Sequence, residues 1–391
     1  MPRFRCSLMA IVLAMAAVAG TAQAGPQGYQ ITDIGTMGDP GTRGPAYSRA
    51  FGLSGTGQVV GVANDDYSNN YAFSWRNGVM TNLGALTGTS SIAWGVNDSG
   101  QVVGYTPGNR HAFSWTDANG DGKKDPGEMV DLGIPVGAEA ASANAINNAG
   151  QTVGTVYYSE RPDQGFLYDG TFHLLGMLPG GYSSQAYAIN DSGQVVGASY
   201  FSVEAIHHAF LWNDADRDGR SDAGEMHDIG HLGGEVAYAG GINDLGQVVG
   251  ASAITRFIPN HAFLWTDNDG DWSADAGEMR DLGTLGGEWS VARAINNSGQ
   301  VIGESTLVVG ETLDHAFLWE DGEMHDLNDL IPADSGWELT ECYDINEQGQ
   351  IAGSGWIGGE KHAYLLTAVP EPATLLLLGL GSLALLRGRK A

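Results

Sequence analysis

The pentapeptide Gly-Gln-Val-Val-Gly begins at Gly57, Gly100, Gly193 and Gly246, and variants of it begin at Gly150, Gly299 and Gly349. The seven copies are spaced by 43, 50, 43, 53, 53 and 50 residues, and this constrains the fold more than any other feature of the chain. A unit this short cannot bury a core alone, so neighbouring copies must stack. His-Ala-Phe-Leu-Trp recurs in step at His208, His261 and His315, with variants at Tyr71, His111, Gln164 and His362. A third motif, Met-x-Asp-Leu-Gly, ends near Gly84, Gly133, Gly176, Gly230, Gly283 and Asn328. Its seventh copy is displaced to the start of the chain, as Ile31-Thr32-Asp33-Ile34-Gly35.

Each unit reads as four short strands. In one of them Ala186 to Asn190 comes first, the Asp191-Ser192-Gly193 turn follows, and Gln194 to Ala198 is second. His208 to Trp212 and Met226 to Ile229 are third and fourth. Glycine at the turn takes the left-handed position that a tight hairpin demands. Four strands in 43 to 53 residues is the size of a propeller blade. The last unit lacks a fourth strand, and the displaced N-terminal copy supplies one. The pattern therefore predicts an all-β, seven-bladed β-propeller of four-stranded blades, closed by an N-terminal strand that completes the last blade and leaves no open sheet edge.

Composition narrows the partners. The 391 residues hold 46 acidic and 18 basic side chains, a net charge of −28, which argues against nucleic-acid binding. Of two cysteines, Cys6 lies in the N-terminal leader and Cys342 in the repeats, so an intramolecular disulfide framework is excluded.

Both ends read as processing signals. Arg3 and Arg5, an apolar run from Leu8 to Ala19 and Ala22-Gln23-Ala24 form a secretory signal over residues 1–24. The repeats occupy 25–368 and a sorting segment 369–391. In that segment Pro370-Glu371-Pro372, an apolar run from Ala373 to Leu386 and the basic Arg387, Arg389 and Lys390 stand in order. The run spans about 21 Å as a helix, a short transmembrane helix that would anchor the chain transiently. This arrangement resembles the PEP-CTERM sorting signal of Gram-negative bacteria. The resemblance implies exosortase as the processing partner and delivery to the cell surface or an exopolysaccharide matrix. The three repeat motifs resemble the HAF-repeat family of extracellular proteins over roughly residues 29 to 367, which implies fold and location more than activity.

Three units carry an acidic insertion between the third and fourth strands. Asp117, Asn119, Asp121, Lys123, Asp125 and Glu128 match D-x-[DN]-x-[DN]-G-x₅-E at every position, as do Asp214, Asp216, Asp218, Arg220, Asp222 and Glu225. Oxygen ligands at alternate positions of a curling loop converge on one Ca²⁺, with Lys123 and Arg220 contributing backbone carbonyls. The third loop, Asp267, Asp269, Asp271, Ser273, Asp275 and Glu278, has Trp272 where the motif has glycine. A bulky residue with positive φ is an outlier, so this turn or its affinity is expected to differ. The likeness to EF-hand and dockerin loops lies in ligand spacing only.

No catalytic constellation stands out. The histidines recur once per unit and so lie around the ring, where a structural hydrogen-bonding role fits them. Loops between second and third strands vary most, and Tyr157, Tyr158, Arg161, Tyr200, Phe201, Arg256 and Phe257 form the candidate ligand face. The resulting expectation is a non-catalytic, calcium-stabilised surface protein that binds protein or polysaccharide. A polysaccharide lyase or hydrolase on the same scaffold, and a spacer without ligand, are the alternatives. Two convergent non-repeat carboxylates in the central pocket would favour the enzyme, and an aromatic-lined groove would favour binding.

Overall fold

The computed structural model describes residues 28–37, 47–65, 69–88, 90–108, 110–201, 206–216, 221–222, 224–256, 260–310 and 313–369. The secretory signal, Pro370, Glu371, Pro372 and the apolar run behind them lie outside the described residues, as do Asp218, Arg220 and Phe257. Among the described residues no helix is long and apolar enough to cross a membrane.

The compact unit Tyr29–Ala368 consists of seven four-stranded antiparallel sheets. Blades one to six run through residues 48–84, 92–133, 140–174, 183–228, 237–283 and 290–326. Blade seven joins Trp337–Ile345, Ile351–Ile357 and Glu360–Ala368 to Tyr29–Gly35, which pairs antiparallel with Glu360–Ala368 from Tyr29↔Ala368 to Gly35↔Ala363. The displaced copy of the repeat thus closes the ring. Among the described residues the only helix is the single turn Leu327–Leu330, capped by Asp326.

Cores form between blades rather than within them. Val60, Ala72 and Leu83 of blade one pack with Ala93, Val102, Phe113 and Trp115 of blade two. The phenylalanines of the third strands, Phe73, Phe113, Phe166, Phe210, Phe263 and Phe317, are all fully buried. Alanine and glycine in the inner strands permit close approach near the axis, and the larger side chains fill the widening gap further out. At Gly197 an added Cβ would lie 1.9 Å from the Gln185 carbonyl, so nothing larger fits there.

The Asn-x-x-Gly-Gln turns join the blades as well as closing hairpins. The Asn190 carboxamide oxygen accepts from the Ser192 and Gln194 amides at 3.1 and 2.9 Å. Its nitrogen donates to the Asn243 carbonyl of the next blade at 3.0 Å. The same inter-blade bond runs from Asn97 to Asn147, Asn147 to Asn190, Asn243 to Asn296, Asn296 to Asn346 and Asn346 to Ser54. Blade one carries Ser54 in place of asparagine, and the chain of amides stops there.

Third and fourth strands are tied by His Nδ1–Asp contacts: His111–Asp131, His208–Asp228, His261–Asp281, His315–Asp326 and, across the closure, His362–Asp33, at 2.6 to 3.0 Å. The recurring histidines and aspartates therefore hold sheet edges, and they do not gather at one site.

Candidate functional site

The innermost strand of every blade carries a β-bulge at one position. Pairing skips from Ala50 to Gly52, Ala93 to Gly95, Ala143 to Ala145, Ala186 to Ala188, Ala239 to Gly241, Ala292 to Ala294 and Cys342 to Asp344. A bulged residue leaves the ladder and its side chain is re-aimed. Here the skipped residues are Phe51, Trp94, Asn144, Tyr187, Gly240, Arg293 and Tyr343, and all seven line the axial channel. One position in a sevenfold repeat therefore writes the wall of the central cavity. The rest of the motif is nearly constant, while this position ranges from glycine to tryptophan.

Phe51 stacks on Trp94 with ring centres 4.3 Å apart and meets Tyr343 edge-on at 4.9 Å. Tyr187 meets Tyr238 edge-on at 6.4 Å, and its hydroxyl donates to Gln185 at 2.6 Å. On the face of the second-to-third-strand loops the channel opens into a mouth of about 580 Å³, within the range of small-ligand sites. Tyr157, Tyr200, Tyr238 and His207 line this mouth together with the bulged ring. On the opposite face the channel narrows to about 320 Å³ between the Asn-x-x-Gly turns, lined by Asp98, Asp191, Asp244, Asp344 and Glu347.

Two carboxyls near the axis sit outside the repeat pattern. Asp344 stands where the other blades have Gly52, Gly95, Ala145, Ala188, Gly241 and Ala294. Burial pushes it up to about 7 against the hydrogen bonds it accepts from the Leu53 and Ile345 amides at 2.7 and 2.9 Å. Glu304 is also pushed up to about 7 by burial, opposed by Arg293, whose Nε donates to Glu304 Oε2 at 3.0 Å. Close by, Arg49 and Lys361 both pair with Glu341, at 2.9 and 2.7 Å. Cys342 is fully buried, its thiol pushed well up by burial, which suits a packing role and not a nucleophile.

Of the candidate ligand face, Tyr157 and Tyr200 reach the mouth. Tyr158 instead lies under the Arg161 guanidinium, 3.7 Å from the ring centre. Phe201 packs beside the His208 ring at 4.7 Å, and Arg256 pairs with Glu235 at 3.2 Å. The bulged ring was not singled out from sequence. Its signal is the one variable residue between Ala and Gly or Ala in the inner strands of blades one to six, with Tyr343 between Cys342 and Asp344 in blade seven.

The acidic loops lie on the face opposite the mouth. In each, the final glutamate is buried and both of its oxygens accept loop amides: Glu128 from Ala118 and Asp125, Glu225 from Ala215 and Asp222, Glu278 from Asn268 and Asp275, at 2.8 to 3.2 Å. Ligand atoms of Asp214, Asp216 and Glu225 lie within 4.8 Å of one another, as do those of Asp267, Asp269 and Asp271. In the first loop the Asn119 amide donates to Asp125 at 2.7 Å, while the Asp117 oxygens accept the Gly120 and Gly122 amides. The backbone of Lys123 is tied to Asp121 at 2.9 Å, and that of Ser273 to Asp271 at 2.7 Å.

Trp272 takes φ +61° and its amide still points to Asp267, so the turn is the one glycine makes in the first loop. Its ring lies over Gly246 and joins the blade-five core, contacts that offset a left-handed backbone costing about 1–2 kcal/mol. The expected difference of turn is thus absent. The loops also cross between blades: Thr81 of blade one donates to Gly122, and Ser221 donates to Leu175 of blade three at 2.6 Å.

Residues 368–390 match the PEP-CTERM protein-sorting motif. Residues 179–363 match a family described as a protein of unknown function, DUF3466. No curated protein matches the chain. Among solved structures, YCF48 from Cyanidioschyzon merolae is 10% identical, covering 88% of this chain and 99% of that one, with TM-score 0.51. A structure of YCF48 bound to D1 peptide is 11% identical over 89% and 97%, TM-score 0.48. AofleA from Arthrobotrys oligospora is 9% identical over 79% and 92%, TM-score 0.40. At such identity the likeness concerns fold alone. Fold and motif together mark a seven-bladed propeller carrying an export-linked surface-sorting signal.

Proposed function

We propose that this protein is a non-catalytic binding propeller of the bacterial surface or exopolysaccharide matrix, stiffened by calcium, whose axial mouth takes a polysaccharide. The observation that carries this reading is the mouth itself. Trp94, Tyr187, Tyr200, Tyr238 and Tyr343, with Phe51 stacked on Trp94, bring aromatic faces to a concave site of small-ligand size, edged by the amides of Asn144 and Gln185. Sugar rings stack on such faces, and their hydroxyls pair with such amides. A flat protein partner would need about 800 Å² of matching surface, which a recess of this width does not offer.

Support for calcium is the all-oxygen donor set around an anchored, buried glutamate in each of three loops. The carboxylates crowd one another. Although the Asp271 amide bond pulls Asp269 down, desolvation and the charges of Asp271, Asp275 and Glu278 hold it above its usual range. A bound divalent cation relieves such crowding, and the loops would then clamp neighbouring blades.

Glycan-array profiling of the calcium-loaded protein, repeated with Trp94→Ala, tests the binding reading. Retention of a glycan class by the parent and its loss in the variant is expected; indifference to the variant would sink it. The alternative of a glycan-cleaving enzyme draws on Asp344, a buried carboxyl near neutrality on the channel wall. Release of reducing ends from a glycan that binds, abolished by Asp344→Asn, would favour that alternative.

A further inference from the structure

Resting on the reading of the mouth as a glycan site, we propose that its ligand is an acidic polysaccharide, with a uronate carboxylate held by the guanidinium of Arg293. Among the described residues that line the mouth, Arg293 alone carries a permanent charge. It occupies the bulged position of blade six, so its side chain is delivered into the channel where four other blades deliver aromatic rings. Its neighbour in the ring is Gly240, which contributes no side chain to the channel.

The guanidinium is held in place from behind. Nε donates to Glu304 Oε2 at 3.0 Å, and the Cζ atom lies 5.5 Å from the Tyr343 ring centre. Among the described residues neither Nη group donates a hydrogen bond, and about a third of the side chain, 35%, is exposed. A planar fork with its two outer donors open suits bidentate capture of a carboxylate. Glu304 is 5% exposed at the side chain and its Oε1 has no partner, so this carboxylate serves Arg293 alone. Glu304 is thus a positioning residue.

Charge along the axis agrees. The far end of the channel is lined by Asp98, Asp191, Asp244 and Glu347. Those carboxylates repel an anionic chain from the far end, which leaves the Arg293 end of the channel for its carboxylate. Trp94, stacked on Phe51 at 4.3 Å, then offers its outer face as a platform for an adjoining sugar ring.

The test is isothermal titration of the calcium-loaded protein with oligogalacturonate and with its methyl ester of equal length. The free acid is expected to bind roughly 10- to 100-fold tighter, the span of one charge-assisted bidentate contact. Replacing Arg293 alone would strand the Glu304 charge, so the comparison uses the double variant Arg293→Gln with Glu304→Gln. That variant should bind acid and ester alike, at the ester's affinity. Arg293→Lys keeps the charge and the pair but loses the fork, and should bind the acid several-fold weaker than the parent. Equal binding of acid and ester by the parent overturns the inference while the glycan reading stands, as does a double variant that keeps the preference. Binding only of neutral glycans does the same. Failure of every glycan, with capture of a peptide by its terminal carboxylate, overturns both.

Discussion

Replacing Asn190 by serine gives blade four the turn chemistry that blade one already has. Ser54 Oγ accepts from the Thr56 and Gln58 amides at 3.3 and 3.1 Å, just as the Asn190 oxygen accepts from Ser192 and Gln194. The hairpin can therefore survive in Asn190→Ser. What disappears is the amide nitrogen, with its bonds to the Asn243 carbonyl at 3.0 Å and to Gln194 Oε1 at 2.8 Å. The Asn243 carbonyl keeps the Gly246 amide at 3.1 Å, so it is not orphaned and the full desolvation penalty does not apply. Two net hydrogen bonds at about 0.5–1.5 kcal/mol each put the loss near 2 kcal/mol. Asn190→Ala also removes the two accepted bonds, for about 4 kcal/mol in all. Ser54→Asn runs the other way, supplying the amide that blade one lacks and gaining about 1 kcal/mol through a bond to the Asn97 carbonyl. Urea unfolding followed by tryptophan fluorescence reads these as midpoint shifts at constant m. If Asn190→Ser and Ser54→Asn both leave the midpoint unchanged, the ring of amides contributes nothing and blade packing alone holds the circle.

Calcium at 10 mM, about 100 times the Kd of an extracellular-type site, should stabilise by about 2.7 kcal/mol per occupied loop. Thermal melting with and without chelator measures the sum, and Glu225→Gln should remove one loop's share. An unchanged melting temperature would refute calcium binding. Stability should fall between pH 5.5 and pH 8. His208, His315 and His362 are raised by the hydrogen bonds they donate to Asp228, Asp326 and Asp33 against the opposing effect of burial, so their contribution is complete below the ordinary imidazole value near 6.5 and lost as pH rises through the folded one. Glu304 and Asp344, pushed up to about 7, add to the same slope because their buried carboxyls must ionise. Burial raises Asp33, but the bonds from His362 and Gly35 outweigh it and hold it low, so the paired contribution persists above about 3.8 and fades as pH falls below that. Asp33→Asn should flatten part of the slope above pH 6, and a melting temperature that rises toward pH 8 would contradict the assignment. Phe263→Ala, in a fully buried inter-blade position, should cost about 3–5 kcal/mol by urea titration.

The ring was legible because repetition fixes register: seven copies of three motifs left one strand missing at the end and one spare at the beginning. Pairing of Ile31 with Leu366 and of Asp33 with Tyr364 follows from that alone. The acidic loops were legible for a similar reason, since alternate oxygens with a closing glutamate survive as a local pattern. That Trp272 keeps the glycine-type turn is not legible locally, because the packing that holds its backbone comes from Gly246, far away in sequence. The inter-blade role of the turn asparagines needs a neighbour that a single repeat does not show. The binding site was hidden by a bulge. Strict alternation assigns the residue after Ala186 to one sheet face, but the skipped pairing at Tyr187 turns it toward the axis.

That skipped pairing also explains how one scaffold can carry an irregular site. A bulge takes the side chain out of the ladder, so its identity is released from cross-strand packing while Ala186 and Ala188 on either side stay paired. The seven positions can therefore hold phenylalanine, tryptophan, asparagine, tyrosine, glycine or arginine without disturbing the inter-blade cores. Rigidity comes from elsewhere. The amide ring fixes the turn end of each inner strand, and the acidic loops tie outer edges across blades. A wall held at its base and rim loses little side-chain freedom on binding, which is where a recess of this size gains affinity. If that separation of roles is right, Trp94→Ala should abolish ligand retention while shifting the urea midpoint far less than Phe263→Ala. Comparable shifts for the two would mean that the channel wall is part of the core and not a site set upon it.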